Sequence, residues 1–592
     1  MRLTTEAITT ALTRERDFIA KGLCYVVTEA RREGAVVVVA VEPHRSARSS
    51  AIDESLEGCR ASWGDDFNNR GEVLFVDAEA AALVLRFVTG ELPAKGTVIW
   101  LFPRDFLTPL IELWQNPERH GAIGLLAKSR EPKHPLEPKA LPQPYAVLRQ
   151  RQVQAVDVAL NPKALLVGPP GTGKTFTVGA IVANLLSRFK NSRILLVGPT
   201  NVAVDTALLS ADDWLRRIGK PEQAAHMKRI GSRFDPKKYA GRDHLLAQGV
   251  YEAATALALL ELEEPPKAQI EKYAKWKEQV EKARAALKAD IVAIGMQARV
   301  LAVTTTSAFM WYEAITACDR WDFVICDEAS QVMLPAALMI AGAGRRVLFA
   351  GDPHQLAPVV QSKDTSVQTL LTKTAFDLED LPQIQLNEQS RMCREICETI
   401  SKTFYDGGLS VCTKAGQDKA WQHERSPYFV DGRQLPRVFC ETIDDAATWS
   451  AKYNGFIRFK SAELTIQLVS ELLGSYAEER DILVLTPFRA QRALMRAFCK
   501  TDTLRRIRIS TVHRAQGSES KLVLFDPVDA NGNFLNSPNG RRLINVALSR
   551  AQAHAVLFIN KFDLRNPWID QIRRHSLKWH TAGDYAEPFS IQ

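Results

Sequence analysis

The apolar positions of this chain change their rhythm near residue 145. Before that point, short apolar runs alternate with turn residues, at Leu23–Thr28, Ala35–Val41, Glu72–Val76, Ala82–Phe87 and Gly96–Phe102. β-rich runs at that spacing predict a small barrel or sandwich. Phe106–Trp114 predicts a helix leaving it, and the proline-rich, basic stretch Arg130–Tyr145 predicts a linker.

Beyond the linker, apolar runs alternate with amphipathic helices. Ala164–Val167 reads as a buried strand. Val178, Ile181, Val182, Leu185, Leu186 and Phe189 then recur at helical spacing before a second apolar run, Ile194–Val197. Strand, helix and strand in that order predict a parallel sheet, because parallel neighbours need a crossover between them. Phe323–Cys326 and Val347–Ala350 belong to the same unit, and Ile482–Leu485, Leu522–Phe525 and Ala555–Ile559 predict a second α/β unit. Between residues 235 and 290, Ile270, Tyr273, Trp276, Val280, Ala283 and Leu287 form one helical stripe on an otherwise Lys-rich surface, which predicts a helical hairpin with a solvated face. The expected layout is a β-rich domain and linker over 1–145, an α/β domain over 146–375 with a helical insertion at about 235–290, a second over 376–565, and a tail over 566–592.

Composition changes this picture little. With 592 residues, 46% hydrophobic and 24% charged, the chain has room for several ordinary globular domains. A net charge of +8 suits a polyanionic partner without requiring one. The nine cysteines contain no CxxC pair, and Cys393 and Cys397, one helical turn apart, lack a second pair to complete a metal site, so reduced buried thiols are expected. The opening run MRLTTEAITTALTRERDF lacks the apolar core of a secretory signal. Ala35–Val41 falls far short of the roughly 20 apolar residues that span a bilayer. The expectation is a cytosolic or nuclear protein away from membranes.

The chemistry is concentrated in two motifs. Gly168, Pro169, Pro170, Gly171, Thr172, Gly173, Lys174 and Thr175 form a complete phosphate-binding loop, after a strand and opening a helix. Its backbone N–H groups and the helix N-terminus suit phosphate oxygens, Lys174 suits β- and γ-phosphate charge, and the Thr175 hydroxyl suits Mg²⁺. Asp327 and Glu328 follow the apolar strand Phe323–Cys326. A carboxylate at a strand end can hold Mg²⁺ through water, and its neighbour can polarise an attacking water. These two motifs alone fit a kinase, a transporter subunit, a GTPase or a motor.

The later motifs resemble those of superfamily 1 helicases, in the 5′-to-3′ branch that holds the nonsense-mediated-decay RNA helicase and its DNA relatives. The resemblance runs over roughly residues 145–562, with the motifs in the family's order. Leu148–Val156 resembles the glutamine motif, which implies that Gln152 reads the adenine edge. Gly198–Asp205 and Ala302–Ser307 resemble loops that contact the nucleic-acid backbone, implicating Pro199, Thr200, Asn201, Thr304, Thr305 and Thr306. Gly351–Pro358 resembles the third motif, with Gln355 at the γ-phosphate. Gln389–Met392 resembles the fourth, with Arg391 as an arginine finger. Leu485–Gln491 resembles a loop facing nucleic acid through Pro487 and Phe488. Thr511–Glu519 resembles the fifth motif, with Gln516 and Gly517 near phosphate, Glu519 near ribose, and Thr511 and His513 near the strand. Asn545–Ala551 resembles the sixth, with Arg550 as a second finger.

Two positions depart from the pattern. The family usually carries an aromatic that stacks on adenine where this chain has Ser390. Close relatives usually carry an acidic residue at the His513 position, where RecD-type DNA helicases often have His. The resemblance implies two RecA-like parallel sheets, with the N-terminal β domain and the insertion where relatives carry subdomains that grip single strands. It implies ATP hydrolysis with Mg²⁺, coupled to 5′-to-3′ movement of a monomeric motor on single-stranded or tailed DNA or RNA. The alternatives are an ATPase that remodels protein–nucleic-acid complexes without unwinding, and an ATP-gated binding clamp.

Overall fold

Strict alternation shapes the N-terminal strands. In Val36–Pro43, Val37, Val39 and Val41 are buried while their neighbours are not. The computed structural model describes residues 3–44, 48–49, 52, 56–64, 67–77, 80–116, 140–231, 234–265, 269–317, 321–430, 433–475, 477–515 and 517–582. Residues 130–139 of the expected linker, residues 583–592 of the expected tail and Gln516 lie outside them.

Of the two architectures expected for the N-terminal region, the structure takes the closed barrel. Its strand order is Leu23–Glu33, Val36–Pro43, Ala82–Thr89, Asn69–Asp77, Arg60–Trp63 and Val98–Phe102. Closure leaves no strand edge unpaired, and Tyr25, Trp63, Leu85 and Ile99 fill the interior. Arg60–Trp63, four residues long, is too short to show its alternation in the sequence. The chain enters the barrel from helix Thr5–Ile19, which the β-rich reading did not foresee, and leaves through helix Thr108–Gln115. Both helices bury their apolar faces in the core of the neighbouring unit, through Ile8, Leu12, Leu110 and Trp114. Glu15, 2% exposed, accepts hydrogen bonds from the backbone N–H groups of Gln361 and Ser362 at 2.7 and 2.8 Å. The barrel is therefore held to that unit by packing and by a buried carboxylate.

The first α/β unit is a seven-stranded parallel sheet in the order Gln383–Gln385, Lys163–Val167, Gly344–Gly351, Trp321–Cys326, Ile194–Gly198, Val300–Thr304, Met227–Arg229. Its central strands are apolar throughout because helices cover both faces. The edge strand Gln383–Gln385 carries this sheet past the boundary expected near residue 375. Helices Gln248–Leu262 and Ile270–Gln297 form the inserted hairpin, closed by Trp276 donating to the Leu260 carbonyl at 2.7 Å. Val280 and Leu287 of the expected stripe are buried, whereas Ile270, the first residue of its helix, is 77% exposed. Glu264, between the helices, reaches Arg60 and Arg70 of the barrel at 3.1 and 3.6 Å.

The second unit is a five-stranded parallel sheet in the order Val438–Thr442, Ala551–Ile559, Ser520–Phe525, Ile482–Thr486, Arg508–Thr511. A short antiparallel hairpin, Thr448–Ser450 with Gly455–Ile457, follows its first strand. Among the described residues no helix is long and apolar enough to cross a membrane.

Candidate nucleotide cleft and nucleic-acid face

The phosphate-binding loop runs from strand Lys163–Val167 to helix Lys174–Arg188. Gly171 and Gly173 adopt φ of +72° and +76°, a region that costs other residues a steric penalty. A Cβ on Gly171 would lie 2.6 Å from that of Arg391, so the loop's close approach to the second unit needs glycine there. Gln152 is buried beneath the loop, with its amide oxygen accepting from the Arg149 N–H at 2.9 Å and its nitrogen donating to the Thr172 carbonyl at 3.0 Å. It thereby supports the loop from below.

Lys174, Thr175, Asp327 and Glu328 come together. The Lys174 ammonium contacts the Asp327 carboxylate and lies 2.9 Å from Glu328, and Thr175 donates to Asp327 at 3.0 Å. Burial disfavours the Lys174 charge, but Asp327 and Glu328 outweigh it and hold its pKa above the ordinary range. Burial likewise pushes Glu328 up, and Lys174 and Arg550 overcome it, so its pKa falls below the usual carboxylate value. Glu328 is therefore ionised at neutral pH, as a base must be. It has φ +54°, and its second oxygen accepts from Gln331 at 3.1 Å.

Residues of the second unit face this cluster. Ser390 donates its backbone N–H to the Gly171 carbonyl at 3.0 Å. Gln389 accepts from the N–H groups of Arg391 and Met392, both at 2.7 Å, which shapes the turn carrying Arg391. Arg391 donates to Glu519 at 2.6 Å, so Glu519 stands as its ion-pair partner. Arg550, 4% exposed, reaches Gln355 at 3.5 Å, but its buried Nε meets no acceptor. Burial, and then Arg391, push the Arg550 pKa down to about 10. A buried guanidinium with an unused donor beside a second arginine fits an anion delivered by another molecule. Together with the glycine loop, this arrangement fits the polyphosphate of a nucleotide. Thr175 and Asp327 fit Mg²⁺, which takes few protein ligands and keeps waters and phosphate oxygens.

The cleft lies between the carboxyl edge of the first sheet and the amino edge of the second. Lys174, Asp327 and Gln355 follow strands of the first, while Glu519 and Arg550 directly precede strands of the second. A buried network ties the two. Asp352 accepts from Tyr405 at 2.6 Å and Gln355 at 2.8 Å, and Asn545 donates to Tyr405 and to the His354 carbonyl, both at 2.8 Å. Asp352 and Asn545 lie inside motifs without being singled out there, and Tyr405 lies in no motif. Around Ser390, the Arg149 guanidinium donates to its hydroxyl at 2.9 Å, and the Trp421 indole donates to its carbonyl at 2.6 Å. Neither contact has a sequence signal.

The candidate nucleic-acid loops occupy other strand ends. Pro199–Asn201 and Thr304–Thr306 stand at the ends of strands on the far side of Trp321–Cys326, away from the phosphate loop, and Pro487–Phe488 and Thr511–His513 stand at the ends of the last two strands of the second sheet. Not all these side chains are available. Thr305 and Thr511 are buried. Thr200 and Thr304 cap helices, accepting from Ala203 and Ser307 at 3.1 and 3.2 Å, and Asn201 accepts from Arg229 at 2.7 Å. Thr306, Pro487 and Phe488 are half-buried and His513 is exposed. Gly517 adopts φ +77°.

Two parallel sheets sharing a cleft between opposite edges, with a phosphate loop on one and arginines on the other, define the class: a tandem RecA-like P-loop NTPase fold. The chain belongs to the superfamily 1 helicases. Two family profiles, each described as an AAA domain, match residues 148–363 and 365–561. The DNA polymerase alpha-associated DNA helicase A of Schizosaccharomyces pombe is 27% identical over 72% of this chain and 66% of its own length. The ATP-dependent helicase NAM7 of Saccharomyces cerevisiae is 26% identical over 70% of this chain and 42% of its own. The DNA replication ATP-dependent helicase/nuclease DNA2 of the same yeast is 24% identical over 74% and 28%. The chain thus spans less than two thirds of the length of these curated relatives. Among solved structures, arterivirus nonstructural protein 10 (helicase) aligns with 92% of this chain and 80% of its own at 12% identity and a TM-score of 0.35, too weak a likeness to add to the strand order above.

Proposed function

We propose that the protein is an ATP-driven motor that moves 5′ to 3′ on single-stranded nucleic acid and separates duplex ahead of it. The observation that carries this reading is the split of one nucleotide site between two units. Lys174, Asp327 and Glu328 stand on one side, Arg391 and Arg550 on the other. A triphosphate held between them favours the closed cleft, and its loss favours the open one, so hydrolysis becomes relative motion of two sheets. Both sheets also carry candidate strand-binding loops, at Pro199–Asn201, Thr304, Thr306, Pro487–Phe488 and His513, so that motion changes the spacing of two grips.

Glu328, ionised and beside the Lys174 ammonium, accepts the proton of the attacking water. Arg391 and Arg550 spread positive charge over the phosphoryl oxygens as charge builds there. Thr175 and Asp327 would hold Mg²⁺, which would neutralise charge on the phosphates. The relatives include DNA helicases and, in Dictyostelium discoideum, a regulator of nonsense transcripts, so the test offers both DNA and RNA. Duplexes with a 5′ tail, a 3′ tail or blunt ends are offered with ATP. Unwinding of the 5′-tailed duplex alone is expected, and unwinding confined to 3′-tailed duplex would overturn the direction while leaving the ATPase reading intact.

A further inference from the structure

The hairpin Thr448–Ile457 was not visible in the sequence motifs and has no part in the cleft. Its two strands pair Trp449 directly with Phe456 across the ladder. Those rings lie 5.4 Å apart, Phe456 lies 6.2 Å from Phe488, and Phe488 lies 5.8 Å from Phe534. Four aromatics from three separate chain segments thus form one continuous ridge. Large apolar rings in such a cluster normally turn inward, yet Trp449 is 61% exposed, Phe534 48% and Phe456 39%.

The ridge is rigidly based. Arg458, the residue after the hairpin, is fully buried and bonds Asp563 at 2.7 Å, Asp526 at 2.8 Å and the Phe558 carbonyl at 2.7 Å. Gln491, in the loop-and-helix motif that carries Phe488, exchanges two hydrogen bonds of 2.8 Å with the backbone of Arg458. A Cβ on Gly455 would lie 2.9 Å from Ala490, so the hairpin presses against the same helix. At the far end, Asn454 donates to Ser49 of the barrel region at 3.4 Å. The ridge therefore runs from the candidate strand-binding loop of the second unit toward the barrel.

We propose that Trp449, Phe456, Phe488 and Phe534 are a stacking platform for the unpaired bases of single-stranded nucleic acid, continuing the path that begins at Pro487–Phe488. The inference rests on the motor reading. Two features favour bases over an apolar protein segment. The ridge is continuous with a candidate strand-binding loop, and exposed Lys452 in the hairpin and Lys460 just after it suit phosphates. Stacking on rings is indifferent to sequence, as a motor requires.

The test compares an oligothymidylate strand with an abasic strand of equal length, using wild type, Trp449→Ala, Trp449→Phe and the pair Trp449→Ala with Phe534→Ala. Both positions are exposed, so the folded state should survive, which thermal melting checks. Wild type is expected to bind the base-bearing strand about tenfold more tightly than the abasic one. The double variant should lose most of that preference, Trp449→Phe should keep it, and affinity for the abasic strand and the salt slope should stay unchanged, since phosphate contacts are untouched. A double variant that keeps the full preference overturns the platform and leaves the motor reading standing. Wild type that binds neither these strands nor their RNA counterparts, oligouridylate and abasic RNA, overturns the motor reading, and the platform with it.

Discussion

The nucleotide cleft and the aromatic ridge occupy opposite edges of the second sheet and are built by opposite means. At the amino edge, Arg550 is almost wholly buried among charged neighbours, and at the carboxyl edge Trp449 is mostly exposed among rings. A buried charge needs its partners at fixed distances, because leaving one unpaired costs several kcal/mol, about 3–5. That demand favours contiguous motifs on strand ends, where backbone geometry sets the spacing. An exposed platform needs only that rings lie near one another. Loops from residues 448–457, 487–488 and 534 supply them without any shared pattern.

The cleft is the place where substitutions should act most strongly. Arg391→Ala and Arg550→Ala should each lower ATP turnover by roughly 10³-fold, while nucleotide-free strand binding measured by anisotropy stays near wild type. Loss of strand binding with intact turnover would move these arginines from the cleft to the nucleic-acid face. Glu328→Gln should retain ATP binding and block hydrolysis, since the amide keeps the shape and one acceptor but cannot take the proton.

A smaller effect should come from the sheet that supports both edges. His554 lies buried in strand Ala551–Ile559, accepting from the Tyr428 N–H at 3.0 Å, with its other nitrogen 3.0 Å from the Pro436 carbonyl. Burial first, and Arg437 next, push its pKa down to about 3. Between that value and the unfolded value near 6.5, the unfolded chain binds a proton that the folded chain does not. Stability therefore falls as pH drops below about 6.5, by up to ~1.4 kcal/mol per pH unit from this group. Denaturant melts at pH 7 and 5.5 should show this loss, and His554→Gln should flatten it. An unchanged slope in that variant would assign the acid sensitivity elsewhere.

The smallest effect concerns the base. With Ser390 in place of an aromatic, and its hydroxyl and carbonyl engaged by Arg149 and Trp421, GTP should be used within about tenfold of ATP, or ~1.4 kcal/mol of discrimination. Steady-state kcat/KM for the two nucleotides measures it, and a preference well above tenfold would mean that a ring such as Trp421 covers the base after all.

Much of this site was legible before the structure, and the exceptions have physical reasons. The phosphate loop, Asp327, Glu328 and the two arginines carry chemistry that only certain residues in a certain order can supply. Gln152 was legible as a site residue, but its bonds to Arg149 and Thr172 belong to three-dimensional packing. The burial of Thr305 and Thr511 was not legible, because a hydroxyl at a strand end looks alike buried or exposed in sequence. The parallel strands stood out as solid apolar runs. Helix Thr5–Ile19 did not, because its buried stripe is only Ile8, Ala11, Leu12 and the charged Glu15. The hairpin hid for a related reason. Its Asn454–Gly455 step is a turn signal, but two three-residue strands are too short to show a period.

A motor requires that one nucleotide site, split between two sheets, be coupled to a strand bound along both. Glu328→Gln isolates that coupling because it should hold ATP without consuming it. Its affinity for a single-stranded oligonucleotide, measured with and without saturating ATP, should differ by about fivefold or more, within the 5–150-fold span of ordinary coupling energies. Equal affinities in the two states, with ATP binding verified, would contradict it.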